Sequence, residues 1–396
     1  MKKSRILLFA VLLFFVPVYA AAQGVPGVTD TEVVVGISNP LSGPAALWGA
    51  TGLGAKAWAD YVNDNGGVHG RKIKVILRDD GYNPSRAMAN LNEMKGKIFC
   101  STAMLGTAVL HTTKDFFPDN KIPLIAPYMD VRTFEKMPKD RLRWIFVSYP
   151  DYMDEAEFIT NYAVKNLGTK KVSLFGQNDN YGKMGSEGMN RALSKLSGQA
   201  AAGDVVLYDV TERAFATHAM KLKESGADTL LIYATPSQAA LILKETAKIG
   251  YRPKVLTTFT VCDTIMYKIA GPDLWNGVYP CAPGSPSIPG DPVADRVADI
   301  LKKYEPKVAG KEFIALYGAL SMMQTVEGLK NAGRNLTQES MIKGMEMIQN
   351  FRPEGMGAPI TYGPDRRHGL NASRLTRAEN GKHVPVTDYA IFKPLY

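Results

Sequence analysis

Short apolar runs alternate with longer amphipathic stretches along the first part of the chain. Runs rich in β-branched residues predict strands, and stretches with apolar residues every three or four positions predict helices. The predicted strands are 33–37, 72–77, 98–102 and 123–125, and the predicted helices are 45–65, 85–94 and 109–117. Strict alternation of strand and helix favours a parallel sheet that carries helices on both faces.

The same alternation begins again after Arg143. Strands are predicted at 145–147, 172–175, 205–208, 229–233 and 255–258, and helices at 155–165, 186–195, 218–224 and 238–249. A second run of this length predicts a second sheet. The expected fold class is therefore α/β, with two doubly wound, Rossmann-like lobes.

The pattern changes near Cys281. Prolines at every third position predict an extended connector, because neither a helix interior nor a central strand accepts them readily: Pro280, Pro283, Pro286, Pro289 and Pro292. Helices are predicted at 293–304, 313–331 and 340–349. The tail from Pro359 to Phe392 reads as short strands, with a hairpin turn at Asn380-Gly381.

The N-terminal residues 1–22 have the pattern of a secretory signal peptide. Lys2, Lys3 and Arg5 precede the apolar run 6–16, and small residues at 20–22 predict cleavage near Ala22. This pattern predicts export to the periplasm. The chain that remains exceeds the size at which a single core stops growing, about 250–300 residues, which favours two domains.

Charge and cysteine content change this picture little. The formal net charge of +9 includes the three basic residues of the leader, and the other basic residues are scattered, which argues against a nucleic-acid partner. Two of the three cysteines, Cys262 and Cys281, are the best candidates for a disulfide; three free thiols are the alternative. Without a CxxC motif or a His/Cys cluster, we expect neither a metal site nor a cofactor.

Candidate binding residues lie in the loops that follow the predicted strands, where open α/β sheets bind ligands. Thr107, at a helix start, suits a carboxylate, although a helix-capping role explains it equally well. Aromatic residues in these loops could line an apolar pocket or simply pack in the core: Trp48, Tyr128, Tyr181 and Tyr233. No GxSxG, Walker or HExxH motif is present, so we do not expect an enzyme.

Several motifs, in this order and spacing, resemble one protein family. They are Leu41-Ser42-Gly43-Pro44-Ala45, Gly66-Gly67-Val68-His69-Gly70-Arg71, Gly106-Thr107, Pro123-Leu124-Ile125-Ala126-Pro127 and Asn180-Tyr181-Gly182. The chain is similar to the periplasmic solute-binding proteins of branched-chain amino-acid type ABC transporters, the leucine/isoleucine/valine-binding group. The resemblance implies a monomer that delivers a small molecule to an ABC permease in the inner membrane.

The resemblance also implies an architecture. Two lobes, joined by three crossover strands, would close on the ligand like a hinged trap. Lobe 1 would contain residues 26–148 and 282–353, and lobe 2 would contain residues 149–281 and 354–396.

The site residues follow from the same resemblance. Thr107 falls where the family holds a ligand carboxylate, Trp48 where an aromatic ring flanks the ligand, and Tyr181 and Tyr233 where the second lobe contributes rings. Leu105 and Tyr128 lie in the same strand-end loops of the first lobe and also belong to the candidate set.

Two departures from the family pattern bear on the ligand. Asp130 stands where amino-acid binders have a threonine, and Phe259 stands where they have an acidic partner for the ligand ammonium. A buried ammonium without a carboxylate partner is costly. The sequence therefore favours an apolar or aromatic carboxylate. One alternative is a branched-chain amino acid whose ammonium is held by Asp130, or by Asp263; another is a sensing module that reports to a membrane receptor.

Overall fold

The computed structural model describes residues 24–283 and 290–396. The predicted signal peptide, 1–22, lies outside the described residues, as do Pro286 and Pro289 of the predicted connector. Within the described ranges we find no helix whose length and apolarity would allow it to cross a lipid bilayer.

Fourteen strands are present in the described residues. In chain order they are β1 (Glu32–Asn39), β2 (Lys72–Asp79), β3 (Cys100–Thr102), β4 (Leu124–Ile125), β5 (Ile145–Ser148), β6 (Lys171–Gln177), β7 (Ala201–Tyr208), β8 (Thr229–Tyr233), β9 (Lys254–Thr257), β10 (Tyr279–Pro283), β11 (His368–Leu370), β12 (Ala372–Glu379), β13 (Lys382–Pro385) and β14 (Ala390–Ile391).

The α-helices of the described residues also number fourteen. They are α1 (Ala50–Asp64), α2 (Pro84–Met94), α3 (Thr107–Thr113), α4 (Phe116–Asp119), α5 (Lys139–Leu142), α6 (Tyr152–Leu167), α7 (Asn180–Lys195), α8 (Ala216–Glu224), α9 (Pro236–Lys248), α10 (Ile265–Ile269), α11 (Pro272–Trp275), α12 (Pro292–Tyr304), α13 (Glu312–Ala332) and α14 (Gln338–Glu346).

The strands form two sheets, which confirms the predicted α/β fold with two lobes. The first sheet has the order β11-β5-β4-β3-β1-β2 and is parallel throughout. The second has the order β13-β12-β10-β9-β8-β6-β7, with β14 paired to β12, and it is parallel from β7 to β10. In both sheets the strand order reverses at the first strand of the lobe, as β2-β1-β3 and as β7-β6-β8, which is typical of doubly wound folds.

The chain passes between the two sheets three times: between β5 and α6, between β10 and α12, and between β11 and β12. The third passage differs from the predicted lobe boundary at 353/354. His368–Leu370 still belongs to the first sheet, because it pairs in parallel with Val147 and Ser148 of β5. The first lobe therefore extends to residue 370. The sequence did not predict this edge strand, because three residues are too few to show a periodicity.

The proline-rich segment is also more regular than predicted. Pro280 and Pro283 lie within β10, a strand between β9 and β12, where the Pro280 carbonyl accepts a 2.8 Å hydrogen bond from Thr376 Oγ1. Pro292 is the first residue of α12, where the missing N–H has no helical partner to lose. The predicted hairpin turn is confirmed: Glu379 pairs with Lys382, and Asn380 and Gly381 both have positive φ.

Helices α1 and α13 pack against each other through glycines. A Cβ added to Gly318 would lie 1.7 Å from the backbone oxygen of Thr51, and one added to Gly54 would lie 1.9 Å from that of Ala315. The two helix backbones therefore touch, which no larger residue permits. This contact matters for the site because the loop before α1 carries Trp48.

We predict that Gly318→Ala destabilises the protein, because α1 and α13 must move apart to admit the methyl group. The free energy of unfolding should fall by about 1–3 kcal/mol, the usual cost of overpacking a core. Urea denaturation followed by circular dichroism measures this change. Gly363→Ala is the control, since its nearest neighbour would be 4.0 Å away; equal unfolding midpoints for both variants would contradict the close contact.

Candidate ligand-binding site

The carboxyl ends of the strands in the two sheets face one cavity between the lobes. Its walls come from loops after β1 to β5 in the first lobe and after β6, β8 and β9 in the second. The lining residues are Ala45, Trp48, Tyr82, Leu105, Gly106, Thr107, Tyr128, Tyr149, Tyr152, Tyr181, Ala234, Thr235 and Thr260. The loops that the sequence singled out therefore converge on one place.

Aromatic side chains form much of the wall of this cavity. Six of the lining residues are Trp or Tyr, and the ring centroids of Tyr152 and Tyr181 are 4.6 Å apart. The centre of a water molecule can move through only about 30 Å³ of the remaining space. A ligand the size of an amino acid therefore enters only if the lobes separate or the rings turn.

Trp48 connects the lobes directly. Its indole Nε1 donates a 3.2 Å hydrogen bond to the backbone oxygen of Thr260 in the second lobe, and the side chain is buried. The Thr260 hydroxyl lies against that of Tyr181, and both are within 3.2 Å of the Ala234 carbonyl oxygen. These contacts describe a closed arrangement of the lobes.

Thr107 lines the cavity, but it does not cap helix α3. The capping position belongs to Gly106, whose φ of 113° is readily adopted only by glycine. The Thr107 hydroxyl instead accepts a 3.0 Å hydrogen bond from the backbone N–H of Asp130. Because this bond uses a lone pair, the hydroxyl proton remains available for a second partner.

Asp130 is buried behind this wall rather than in it. Its carboxylate accepts a 3.1 Å hydrogen bond from the Arg132 backbone N–H and is not among the lining groups. Burial is the main cause that raises the pKa of Asp130 to about 7, helped by the nearby carboxylates of Asp151 and Asp179. Its charge therefore changes close to neutral pH.

Two further predicted residues, Tyr233 and Phe259, form a second layer. The Tyr233 hydroxyl donates a 3.2 Å hydrogen bond to the backbone oxygen of Tyr152, and the Phe259 ring lies 4.8 Å from that of Tyr149. Below Phe259, Glu155 accepts hydrogen bonds from the Phe259 N–H at 2.9 Å and from a threonine hydroxyl. This layer supports the lining rings. Of the eight predicted site residues, five line the cavity: Trp48, Leu105, Thr107, Tyr128 and Tyr181.

The prediction missed three lining rings, those of Tyr82, Tyr149 and Tyr152. All three follow strands of the first sheet, Tyr82 after β2 and the other two after β5. Applying the strand-end rule to those two strands as well would have found them. Burial raises the pKa of Tyr149 and of Tyr152 well above its usual value, so both hydroxyls stay neutral at physiological pH.

The predicted disulfide between Cys262 and Cys281 is not present in the structure. All three cysteines are buried free thiols. The Cys281 sulfur lies 3.0 Å from the Ser373 hydroxyl, and the Cys262 sulfur lies 3.6 Å from His383 Nδ1. Each thiol thus has its own polar neighbour in the C-terminal segment, a long-range contact that spacing along the chain does not reveal. The described residues contain no group of three or more side chains suited to hold a metal ion.

An ion pair lies beside the cavity at the first passage between the lobes. Arg132 donates from Nε and Nη2 to the Asp151 carboxylate at 3.1 and 2.5 Å. Asp151 also accepts from the Met153 N–H as the cap of α6, and its own N–H donates to Asn371 Oδ1 at 2.9 Å. The Asp151 carboxylate therefore joins a first-lobe loop to the start of α6, and the backbone N–H of the same residue links them to the third passage.

Comparison with known proteins agrees with this geometry. A family model described as periplasmic binding protein matches residues 32–382. Leu/Ile/Val-binding protein homolog 1 of Brucella suis is 23% identical over 322 residues, which are 81% of this chain and 84% of that protein. Leu/Ile/Val-binding protein homolog 3 of Brucella melitensis is 23% identical over 257 residues, 64% of this chain and 68% of that protein.

Solved structures share the fold at low sequence identity. A fatty acid ABC transporter substrate-binding protein from Thermomonospora curvata has a TM-score of 0.81 at 21% identity, covering 94% of this chain and 95% of its own. A branched-chain amino acid ABC transporter protein from Thermus thermophilus with bound valine has a TM-score of 0.80 at 20% identity, covering 91% and 97%. The chain belongs to the periplasmic binding protein family, a family of binding proteins rather than enzymes, and its resemblance to the leucine/isoleucine/valine-binding group is confirmed.

Proposed function

We propose that this protein is the extracytoplasmic solute-binding component of an ABC importer. It captures a small organic ligand between its closing lobes and presents it to a permease in the inner membrane. Family membership and the cavity between the lobes support this role. We further propose that it acts as a monomer without a nucleic-acid partner, in keeping with its scattered basic residues.

The proposed ligand is an apolar or aromatic carboxylate. The observation that carries this proposal is that the cavity lining contains no Asp, Glu, Lys or Arg side chain among the described residues. An α-amino acid would place its ammonium in this aromatic, water-poor space without a carboxylate in contact. Such an unpaired buried charge costs several kcal/mol, whereas an apolar body packs well against the rings.

Thr107 is the proposed partner of the ligand carboxylate. Its hydroxyl proton is available, because the Asp130 N–H occupies only a lone pair of the oxygen. Trp48 and Tyr181 flank the ligand body from the two lobes, and Leu105 contributes aliphatic surface. Polar contact is therefore expected at one end of the cavity and ring contact along the rest.

A branched-chain amino acid is the second candidate ligand. The binding proteins named above for leucine, isoleucine and valine, and the Thermus thermophilus structure with valine, favour it. Here Asp130 would hold the ammonium. Its carboxylate would first have to reach the cavity, because it now bonds to the Arg132 N–H behind the wall.

We predict that Thr107→Val lowers the affinity for the ligand by about ten- to hundred-fold, the value of a hydrogen bond to a charged group. Isothermal titration calorimetry measures this loss. Thr107→Ser keeps the hydroxyl and should bind like the wild type. If the valine variant folds and its affinity is unchanged, Thr107 does not hold the carboxylate.

The Asp130→Asn variant separates the two ligand classes. In the wild type, the carboxyl group loses its proton as the pH rises through its pKa of about 7. The affinity for a carboxylate ligand should therefore fall between pH 6 and 8, while the asparagine variant stays constant and binds at least as tightly at pH 8. Leucine, if it were the ligand, would show the opposite: wild-type affinity rising over this interval and collapsing in the variant.

A thermal-shift screen tests the ligand class directly. Protein refolded without ligand is heated with amino acids, aromatic acids or aliphatic acids. A ligand present at 100 times its dissociation constant stabilises the folded state by about 2.7 kcal/mol. We expect shifts with aromatic or aliphatic acids. A shift with leucine and its relatives alone would overturn the proposed ligand class but not the binding function.

A further inference from the structure

A second cavity lies on the hinge side of the molecule. The centre of a water molecule can move through about 580 Å³ of it, and it shares no lining residue with the cavity between the lobes. Its walls come from residues 350–372 and 389–394. The first range leaves the first lobe and makes the third passage, and the second contains β14, which pairs with β12. The proposed import function assigns no role to this space.

The walls of this hinge cavity are largely apolar. Pro359 and Leu370 contribute from the first of these ranges, and Ile391 and Phe392 from the second. Ile391 is 68% exposed, an unusual position for a large aliphatic side chain. An apolar molecule in the cavity would remove this surface from water, which favours its binding.

The charged groups of the cavity are all cationic. Arg352 and Arg366 line it, and no carboxylate does. Neither guanidinium has a carboxylate within 4.0 Å among residues 24–283 and 290–396. Arg366 Nη2 donates to the Gly369 carbonyl at 3.2 Å, but its buried Nε has no hydrogen-bond partner within the described part of the chain. A third cation, Arg374, lies 4.7 Å from the centre of the Tyr389 ring, which also lines the cavity.

We propose that the hinge cavity binds an amphipathic organic anion. Its carboxylate would bond to Arg366 and Arg352, and its apolar body would lie against Leu370 and Phe392. Two observations carry this inference: two guanidinium groups line the cavity without a carboxylate partner among the described residues, and apolar walls adjoin them. A carboxylate supplies two acceptor oxygens in the geometry that a guanidinium prefers.

Occupation of this site would act on lobe closure. Residues before and after the third passage line the cavity, and Asn371, at the passage itself, lies in its wall. Asn371 Oδ1 accepts from the Asp151 N–H, and Asp151 caps the helix whose first residue, Tyr152, lines the other cavity. Because hinge motion requires backbone rotation in such crossover segments, a molecule that contacts both sides favours one lobe arrangement.

Sodium octanoate is a suitable probe, since it combines a carboxylate with an apolar chain. Hydrogen–deuterium exchange of the purified protein should show octanoate protecting residues 350–372 and 389–394. In the Arg352→Gln/Arg366→Gln variant this protection should disappear, and the octanoate concentration needed for half-protection should rise at least ten-fold. Arg252→Gln, at an exposed arginine in the second lobe, is the matched control and should behave as the wild type.

A further variant keeps the test decisive if the double variant does not fold. Ile391→Glu leaves both arginines in place and adds a carboxylate at an exposed position of the wall, so it should weaken octanoate binding at least ten-fold; Ile391→Gln should not. Octanol, without the charge, should protect neither segment. The proposal would be overturned if octanoate protected the Arg352→Gln/Arg366→Gln and Ile391→Glu variants as well as it protects the wild type. It would also be overturned if octanoate did not protect these segments in the wild type. Protection of the loops around Thr107 and Tyr181 reports on the cavity between the lobes instead, so the two proposals fail separately.

Discussion

The carboxylate of Asp151 is the constraint on which the arrangement of the two lobes depends. It is fully buried, and such a charge is tolerated only when it is paired and hydrogen-bonded. Arg132 from the first lobe and the Met153 N–H in the first turn of α6 both donate to it, and the backbone N–H of the same residue donates to Asn371 Oδ1 at the third passage. Burial raises its pKa, and the guanidinium of Arg132 opposes that rise. The same charge that costs desolvation energy therefore orients the start of α6 at the entrance to the second lobe.

The cavity between the lobes follows from that orientation. Helix α6 begins at Tyr152, whose ring meets those of Tyr149 and Tyr181, so a residue at the hinge takes part in the lining. Edge-on and tilted contacts between such rings suit their quadrupoles and add stability beyond the buried area. With Trp48 bonded to the Thr260 backbone across the cleft, closure brings together neutral hydroxyls and rings. No carboxylate is among the described lining residues, so this environment offers no counter-charge to an ammonium.

Much of the fold could be predicted because strands and helices in an α/β protein carry a local signal. The runs from Val33 to Ile37 and from Thr229 to Tyr233, for example, are rich in β-branched and large apolar residues and read as strands without further information. The edge strand His368–Leu370 has no such signal, since three residues show no period and their pairing partner lies more than 200 positions earlier. Pro280 was predicted to lie in a connector but lies in β10, for a related reason. Its carbonyl accepts a hydrogen bond from the distant Thr376 hydroxyl, a contact that the local sequence does not show.

The amino-acid order was sufficient for the fold class, the family and the loops that line the cavity between the lobes, because strand ends in a parallel sheet must converge. It was insufficient to rank residues within those loops. Tyr233 and Phe259 lie behind the lining while Tyr82 lies in it, and Asp130 turns its carboxylate toward the Arg132 N–H instead of the cavity. Burial and hydrogen bonding between distant segments set these positions. The hinge cavity also depends on contacts between distant segments. The sequence does not mark its arginines as a candidate anion site, because only the fold shows that no carboxylate of the described residues lines the cavity beside them.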